Sequence, residues 1–262
     1  MVWDLPVVFV ASSLLDRRPE LDSTLLNMPI PNASQNNRTM VLSYRDIRRA
    51  VGLSGLLLPV ALGLGGCIVG VPIQDNISSY YHTAMRDVFV GTMSAMGVFL
   101  LCYRGIDWVE NWTANIGCAA ALCIALCPLD ANSDPLFQKS IVGYLHTFSG
   151  GVFFLTLAFY SLVHFPRSGN EIEEPHLWER RLIYRTSGIV ILLSMLAMGS
   201  YMILIPFAWK SLLNQWNFLF WMESIAVWAF AAAWLTKGRA IFAEIGVELL
   251  SIPTRMLKRH PD

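Results

Sequence analysis

Charge is the scarcest commodity in this chain. Charged side chains make up 15% of its 262 residues, and nineteen basic and nineteen acidic ones cancel to a formal net charge of zero. A soluble domain carries about a quarter, and a nucleic-acid-binding domain adds a basic excess; neither description fits, and no nucleic acid is expected as a partner. Cysteine is sparse too. Cys67, Cys102, Cys118, Cys123 and Cys127 all fall in or beside apolar runs. Cys123 and Cys127 stand four apart, but no second pair completes a thiolate cage for zinc, so all five read as small buried packing residues. A positive n-region is missing before the short apolar run 7–15, and residues 1–50 are too polar for a simple secretory signal. That run either lies on a membrane as an interfacial helix or covers one end of a bundle.

Apolar sequence is what remains. Hydrophobic residues make up 55% of the chain, the mean hydropathy is +0.48, and there are nine tryptophans. Six stretches, 51–71, 84–103, 113–128, 141–165, 183–207 and 218–235, are long enough or nearly so to cross about 30 Å of hydrocarbon as helices. The expected fold is all-α, a six-transmembrane-helix bundle over residues 51–236. Residues 1–50 form an N-terminal segment and residues 237–262 an amphipathic helix with a basic tail. Thirteen basic residues, among them Arg45, Arg104, Arg167, Arg180, Lys237 and Arg255, fall on one side of this six-span arrangement. Arg86, Lys139 and Lys210 fall on the other, which puts both termini in the cytoplasm.

Local pattern adds detail. Pro59, Gly63, Gly66 and Gly70 give the first span a narrow face for close approach and a bend. Gly117, Ala119, Ala120, Ala121 and Ala125 make the third span slim and suit it to the middle of a bundle. Residues 32–37 read as an irregular linker. The connection 166–182, with Glu171, Glu173, Glu174 and Glu179 offset by Arg180 and Arg181, is either a solvated cytoplasmic loop or a partner site. After Thr236, Ile241, Phe242, Ile245, Leu249 and Leu250 define an apolar stripe that suggests a helix lying on lipid and ending near Pro253. Trp108, Trp112, Trp178, Trp209, Trp216 and Trp221 fit an interfacial belt.

Chemistry concentrates in DNISSYYHTAMRD, from Asp75 to Asp87, between the first two spans. Polar groups at that density beside hydrocarbon are costly unless they pair, bind something or face water. Topology brings other polar groups to the same side: Asp130, Asp134 and Lys139, then His146 just inside the fourth span, and Glu223 in FLFWMESIAVWAF of the sixth. His82, Asp87, His146 and Glu223 form a candidate N/O set for Zn2+ or another divalent metal. An open coordination position would activate water for attack on an acyl carbon. Ser78 or Tyr81 would then stabilise the oxyanion, and Asp75 or Asp87 would accept the proton. The same residues also fit two other roles: handling an ion or polar solute, or pairing among themselves, with Arg86 neutralising Asp87 or Glu223. At the opposite end Arg104, Asp107, Glu110, Asn111 and Asn115 form a polar patch in which Glu110 and Asn115 are expected to pin a turn and pair with Arg104 or Arg185.

SSYYHTAMRDVFVG, followed by GVFLLCYRG and WVENWTANIGCAAALCIALCP, resembles a group of largely uncharacterised bacterial multi-pass membrane proteins. That resemblance implies six helices with a polar motif between the first two, in a bacterial cytoplasmic membrane. A weaker likeness is to alkaline ceramidase and progestin-receptor-like membrane hydrolases, which bind zinc and hydrolyse lipid amides. Ser78 and His82 match their first serine–histidine spacing, and Asp87 stands for the acidic member. The terminal histidine pair and a seventh span are missing, so His146 and Glu223 would have to replace those ligands. The expectation is a metal-dependent membrane hydrolase of a lipid or amphiphilic ester or amide, partnered by membrane lipids and open to homo-oligomerisation. The alternatives are a proton- or cation-coupled transporter or channel and a structural membrane subunit.

Overall fold

Helices account for all the regular structure among the described residues, 33–131, 134–167 and 176–258 of a computed structural model. Residues 42–262 form one compact unit and residues 1–41 another. The apolar run 7–15, the acidic residues Glu171, Glu173 and Glu174, and Arg259 lie outside the described residues.

The first helix, α1, runs from Ala33 to Val60 and continues through a π turn, Ala61–Gly65, into a last turn, Gly66–Ile68. It is followed by a 3₁₀ segment, Ile77–His82, then by α2 (Arg86–Cys102), α3 (Trp108–Leu126) and α4 (Ile141–Phe159). A second π turn, Tyr160–His164, extends α4 into Phe165–Arg167. Beyond it come α5 (Leu177–Ile203), the short α6 (Phe207–Asn214), α7 (Phe218–Lys237) and α8 (Ile241–Lys258). Among the described residues, five helices are long and apolar enough to cross a membrane. The remaining one of the six expected spans, α2, has seventeen residues, about 26 Å at 1.5 Å per residue.

Caps explain where several helices begin. The Asp107 side chain accepts the Glu110 N–H at 2.7 Å, while Glu110 Oε2 accepts the Ile106 N–H at 2.9 Å. This reciprocal closure starts α3 five residues earlier than hydropathy alone suggests, because a polar first turn is invisible to an apolar count. Ser140 caps α4 by accepting the Gly143 N–H at 2.9 Å. Two boundary expectations are corrected. Residues 33–37 are helical rather than irregular, since no proline or glycine interrupts the chain between Pro31 and Gly52. Helix α8 runs past Pro253 to Lys258, a proline removing one backbone donor without stopping the helix.

The main apolar core draws buried residues from α1, the 3₁₀ segment, α2, α3, α4, α5 and α7. α2, α3 and α4 pack in sequence, and α5 lies along α7. Close approach of α1 to α7 uses Gly52 and Gly55, not the later glycines: a Cβ on Gly52 would stand 2.6 Å from Leu235 Cγ. Of the expected groove, Gly63 faces Phe220, Gly66 faces Tyr80, and Gly70 instead takes φ +79° at the end of the helix. The slim α3 buries Ala114, Ala121 and Ala125 and meets Thr156 of α4 at Gly117. Cys118 is buried as expected, but Cys67 and Cys102 lie on outward faces and are exposed. The six belt tryptophans are all exposed, whereas Trp234 is buried inside an aromatic cluster with Tyr103, Tyr160, Phe165 and Phe230.

Candidate functional site

The 3₁₀ segment carries the site's first residue. Asn76 caps it by accepting the Ser79 N–H at 2.8 Å, and the Ile77 N–H donates to Glu223 Oε2 of α7 at 2.6 Å. The Asp75 carbonyl accepts the Phe220 N–H at 2.9 Å. The backbone on either side of Asn76 is therefore pinned to the start of α7, and Ser78 follows directly.

His146 reaches Ser78 from α4. Its Nε2 lies 2.8 Å from Ser78 Oγ, and its Nδ1 lies 2.6 Å from the Cys127 carbonyl. A carbonyl only accepts, so in the neutral ring Nδ1 carries the hydrogen and Nε2 presents a lone pair. The Ser78 hydroxyl is then the donor. This is a hydroxyl–imidazole pair oriented by a third group, the arrangement that activates a serine nucleophile.

The pair opens onto a cavity of about 240 Å³. Ser78, His146 and Glu223 line it together, among apolar walls that include Phe89, Phe153, Met195 and Met198. Leu129 and Pro135 are shared with a second, wider pocket of about 1060 Å³ lined by polar residues such as Asp75, His82, Asp130, Asp134 and Lys210. A polar vestibule thus adjoins an apolar chamber.

Three of the expected site residues, drawn from three separate stretches, meet in the chamber. The others do not. His82 donates from Nε2 to the Leu129 carbonyl at 2.7 Å and lines the vestibule, as does the exposed Asp75. Tyr81 lines neither pocket; its hydroxyl accepts from Arg86 at 2.9 Å, with the guanidinium 4.6 Å from its ring centre. Asp87 is exposed on the face of α2 opposite the buried Phe89, Met93 and Met96. Among the described residues no three His, Cys, Asp or Glu side chains group closely enough to hold a metal ion. Of the expected ligand set, His146 and Glu223 face the chamber, His82 the vestibule, and Asp87 neither.

Sequence reasoning missed the partners that orient the histidines. His146 and His82 bracket Pro128, one on the Cys127 carbonyl and the other on the Leu129 carbonyl. Backbone acceptors leave no residue-type signal, although a proline corner between two histidine-bearing segments is a place to look for them.

The opposite end has its own network. Tyr103 donates to Glu110 Oε1 at 2.6 Å, Tyr160 donates to the Glu110 carbonyl at 2.9 Å, and Arg48 lies 3.3 Å from the Tyr103 hydroxyl. Glu110 pins its turn as expected, but its side-chain partner is Tyr103 rather than Arg104 or Arg185.

No protein-family model, no curated protein and no solved structure matches this chain.

Proposed function

We propose that the chain is an integral membrane protein that hydrolyses a membrane-borne ester or amide, with Ser78 as nucleophile and His146 as general base. The observation that carries this reading is the 2.8 Å Ser78–His146 pair, oriented by the Cys127 carbonyl and facing a chamber. Six spans with both termini in the cytoplasm remain the topology that agrees with the charge asymmetry, and the resemblance of the SSYYHTAMRDVFVG segment to bacterial multi-pass proteins implies a bacterial cytoplasmic membrane.

The chemistry follows from the tautomer. As Ser78 Oγ attacks the acyl carbon, His146 Nε2 takes the hydroxyl proton, and the imidazolium formed is stabilised by its Nδ1–H bond to Cys127. His146 then returns the proton to the leaving alcohol or amine as the C–O or C–N bond breaks, leaving an acyl-Ser78. Water from the vestibule attacks that ester, His146 Nε2 takes its proton, and as the C–Oγ bond breaks His146 returns that proton to Ser78 Oγ and the acid leaves. Glu223 is a positioning residue in this scheme, since it fixes the Ile77 N–H immediately before Ser78.

This places the hydrolytic role on Ser78 and His146 directly. The metal-bound-water version needs His146 to exchange one of its two hydrogen bonds for an ion and His82 to leave the Leu129 carbonyl. A proton- or cation-coupled transporter is the second reading, supported by an ionisable Glu223 on a spanning helix at a cavity wall. The cavity argues against a purely structural subunit, in which the same polar groups would close on one another.

The test is covalent. A fluorophosphonate probe applied to the full chain in liposomes should add to Ser78, with the adduct located by mass spectrometry and lost in His146→Gln. Ester hydrolysis should vanish in Ser78→Ala and persist in a chelator. Hydrolysis abolished by the chelator and restored by zinc would support the metal reading instead; ion flux retained in Ser78→Ala without any adduct would support transport.

A further inference from the structure

One wall of the chamber, between α4 and α5, is poor in side chains. On α4, Phe148 and Leu155 point outward, 70% and 55% exposed, and Gly151 sits between them, three residues after one and four before the other. On α5, Leu196 and Ile203 point outward, 66% and 69% exposed, and Gly199 sits between them at the same spacing. Residues three and four apart share a helix face. Each outward stripe therefore has a residue without a side chain at its centre, and α4 packs beside α5.

These glycines also belong to the chamber. Gly150, Gly151 and Gly199 all line it, and a Cβ built on any of them meets nothing within 4 Å. Gly91 of α2 is open in the same way but does not line the chamber, whereas at Gly52, Gly117 and Gly188 a Cβ would come within 3.0 Å or less of another side chain. The absence of side chains at 150, 151 and 199 thus leaves space rather than closeness. Met195, Met198 and Met202 of α5 form the adjoining wall, and methionine is the apolar side chain best able to adapt to a passing chain.

Resting on the hydrolase reading, we infer that the acyl part of the substrate enters sideways from the hydrocarbon, between α4 and α5 across Gly151 and Gly199, and lodges in the chamber with its carbonyl at Ser78. The substrate class is then an acyl ester or amide dissolved in the bilayer, whose polar portion lies in the vestibule beyond Leu129 and Pro135. The chamber volume of about 240 Å³ accommodates on the order of eight carbon units at roughly 30 Å³ each, the share of one water in the liquid. Lipid tails are as apolar as the chamber wall, so selection rests on packing and shape rather than on expulsion from water. A side chain added at either glycine would therefore act as a stop.

The experiment uses the full chain in liposomes with two readouts. In the first, an octanoyl ester carrying a photoreactive diazirine at the chain end is irradiated with wild-type protein and with Ser78→Ala, and labelled positions are mapped by mass spectrometry. Label should concentrate on Met195 and Met198 in both, and fall by about tenfold in Gly151→Leu and Gly199→Leu, the lower range for steric exclusion from an apolar pocket. In the second, the octanoate-to-acetate ratio of p-nitrophenyl ester hydrolysis should fall by about tenfold in the leucine variants and by less in Gly151→Ala and Gly199→Ala, in step with added volume. Label spread evenly over Phe148, Leu155 and Leu196 and indifferent to the glycines would overturn the side entry. So would an unchanged ratio in an enzyme whose hydrolysis depends on Ser78, and that result would leave the catalytic reading standing. Glycine-dependent chamber labelling without any hydrolysis would support the entry and remove the hydrolase.

Discussion

Both ends of the bundle contain a histidine bonded to a hydroxyl, and the two pairs run in opposite directions. At one end Thr113 donates its hydroxyl hydrogen to the Val109 carbonyl at 2.7 Å, so toward His164 Nε2, 3.1 Å away, it acts as acceptor. At the other end the Cys127 carbonyl takes the hydrogen on His146 Nδ1, so Ser78 donates to Nε2. The surroundings differ in the same sense. His164 packs edge-on against Phe159 and beside Tyr160, in the filled cluster around Trp234, whereas Ser78 and His146 face a chamber. On the hydrolase reading one pair is structural and the other reactive, and what separates them is hydrogen direction and adjacent space rather than residue type.

Replacing each histidine separates the two most sharply. On the hydrolase reading, His146→Ala should reduce ester hydrolysis by about 10³-fold or more, as removal of a general base does. His164→Ala should leave the rate constant of the folded protein near wild type and lower its melting temperature instead. Equal losses of activity from both would erase the distinction. The readout is hydrolysis per folded molecule, with the folded fraction taken from circular dichroism in detergent.

The filled end should dominate stability. Trp234→Ala removes the ring shared by Tyr103, Tyr160, Phe165 and Phe230 and is expected to cost about 3–5 kcal/mol. Glu110→Ala leaves the buried Tyr103 hydroxyl and the part-buried Ile106 N–H without their acceptor and should cost about 2–4 kcal/mol, roughly one to three for the hydroxyl and about one for the N–H. Glu223→Gln keeps an acceptor for Ile77 and should cost under about 1 kcal/mol, its effect showing in hydrolysis if Ser78 is held by that contact. Thermal unfolding of the three variants in one detergent checks the order; Glu223→Gln destabilising more than Trp234→Ala would invert the comparison.

Depth along the chain was legible from residue pattern, but rotation about each helix was not. Apolar runs and loop charges were enough to bring Ser78, His146 and Glu223 to one end, because those signals report position along a span. They do not report azimuth. Asp87 was grouped with the site by depth, yet it lies two residues from the buried Phe89, on the outward face of α2. His82 failed for another reason: its partner is the Leu129 carbonyl, and every residue has a carbonyl. The π turns at 61–65 and 160–164 also escaped, although Pro59 pointed to a bend near the first. The role of Glu110 was recoverable because the spacing from Asp107 is a capping pattern, while its partner Tyr103 depends on how α2 and α3 meet.

The rim of the open end offers the smallest effect and the cleanest sign. Asp130 lies at the surface where the vestibule meets the start of α4. One carboxylate oxygen accepts the N–H groups of Lys139 and Ser140, and the other accepts the Ser140 hydroxyl at 2.7 Å. The Ser140 hydroxyl, followed by the two backbone donors, holds the Asp130 carboxyl below its ordinary range. A folded pKa below the unfolded value of about 3.9 means that the folded state favours the ionised form. The stabilisation is then complete at neutral pH, begins to fall only near the unfolded pKa, and is lost as pH drops through the lower folded value. Melting curves of wild type and Asp130→Asn between pH 7 and pH 3 should therefore run parallel down to about pH 4 and converge below it. Exposure makes the gap small and reducible by salt, whereas the Trp234 effect at the filled end should be insensitive to both pH and salt; a gap that persists undiminished in acid would mean that Asp130 acts through packing, as that buried residue does.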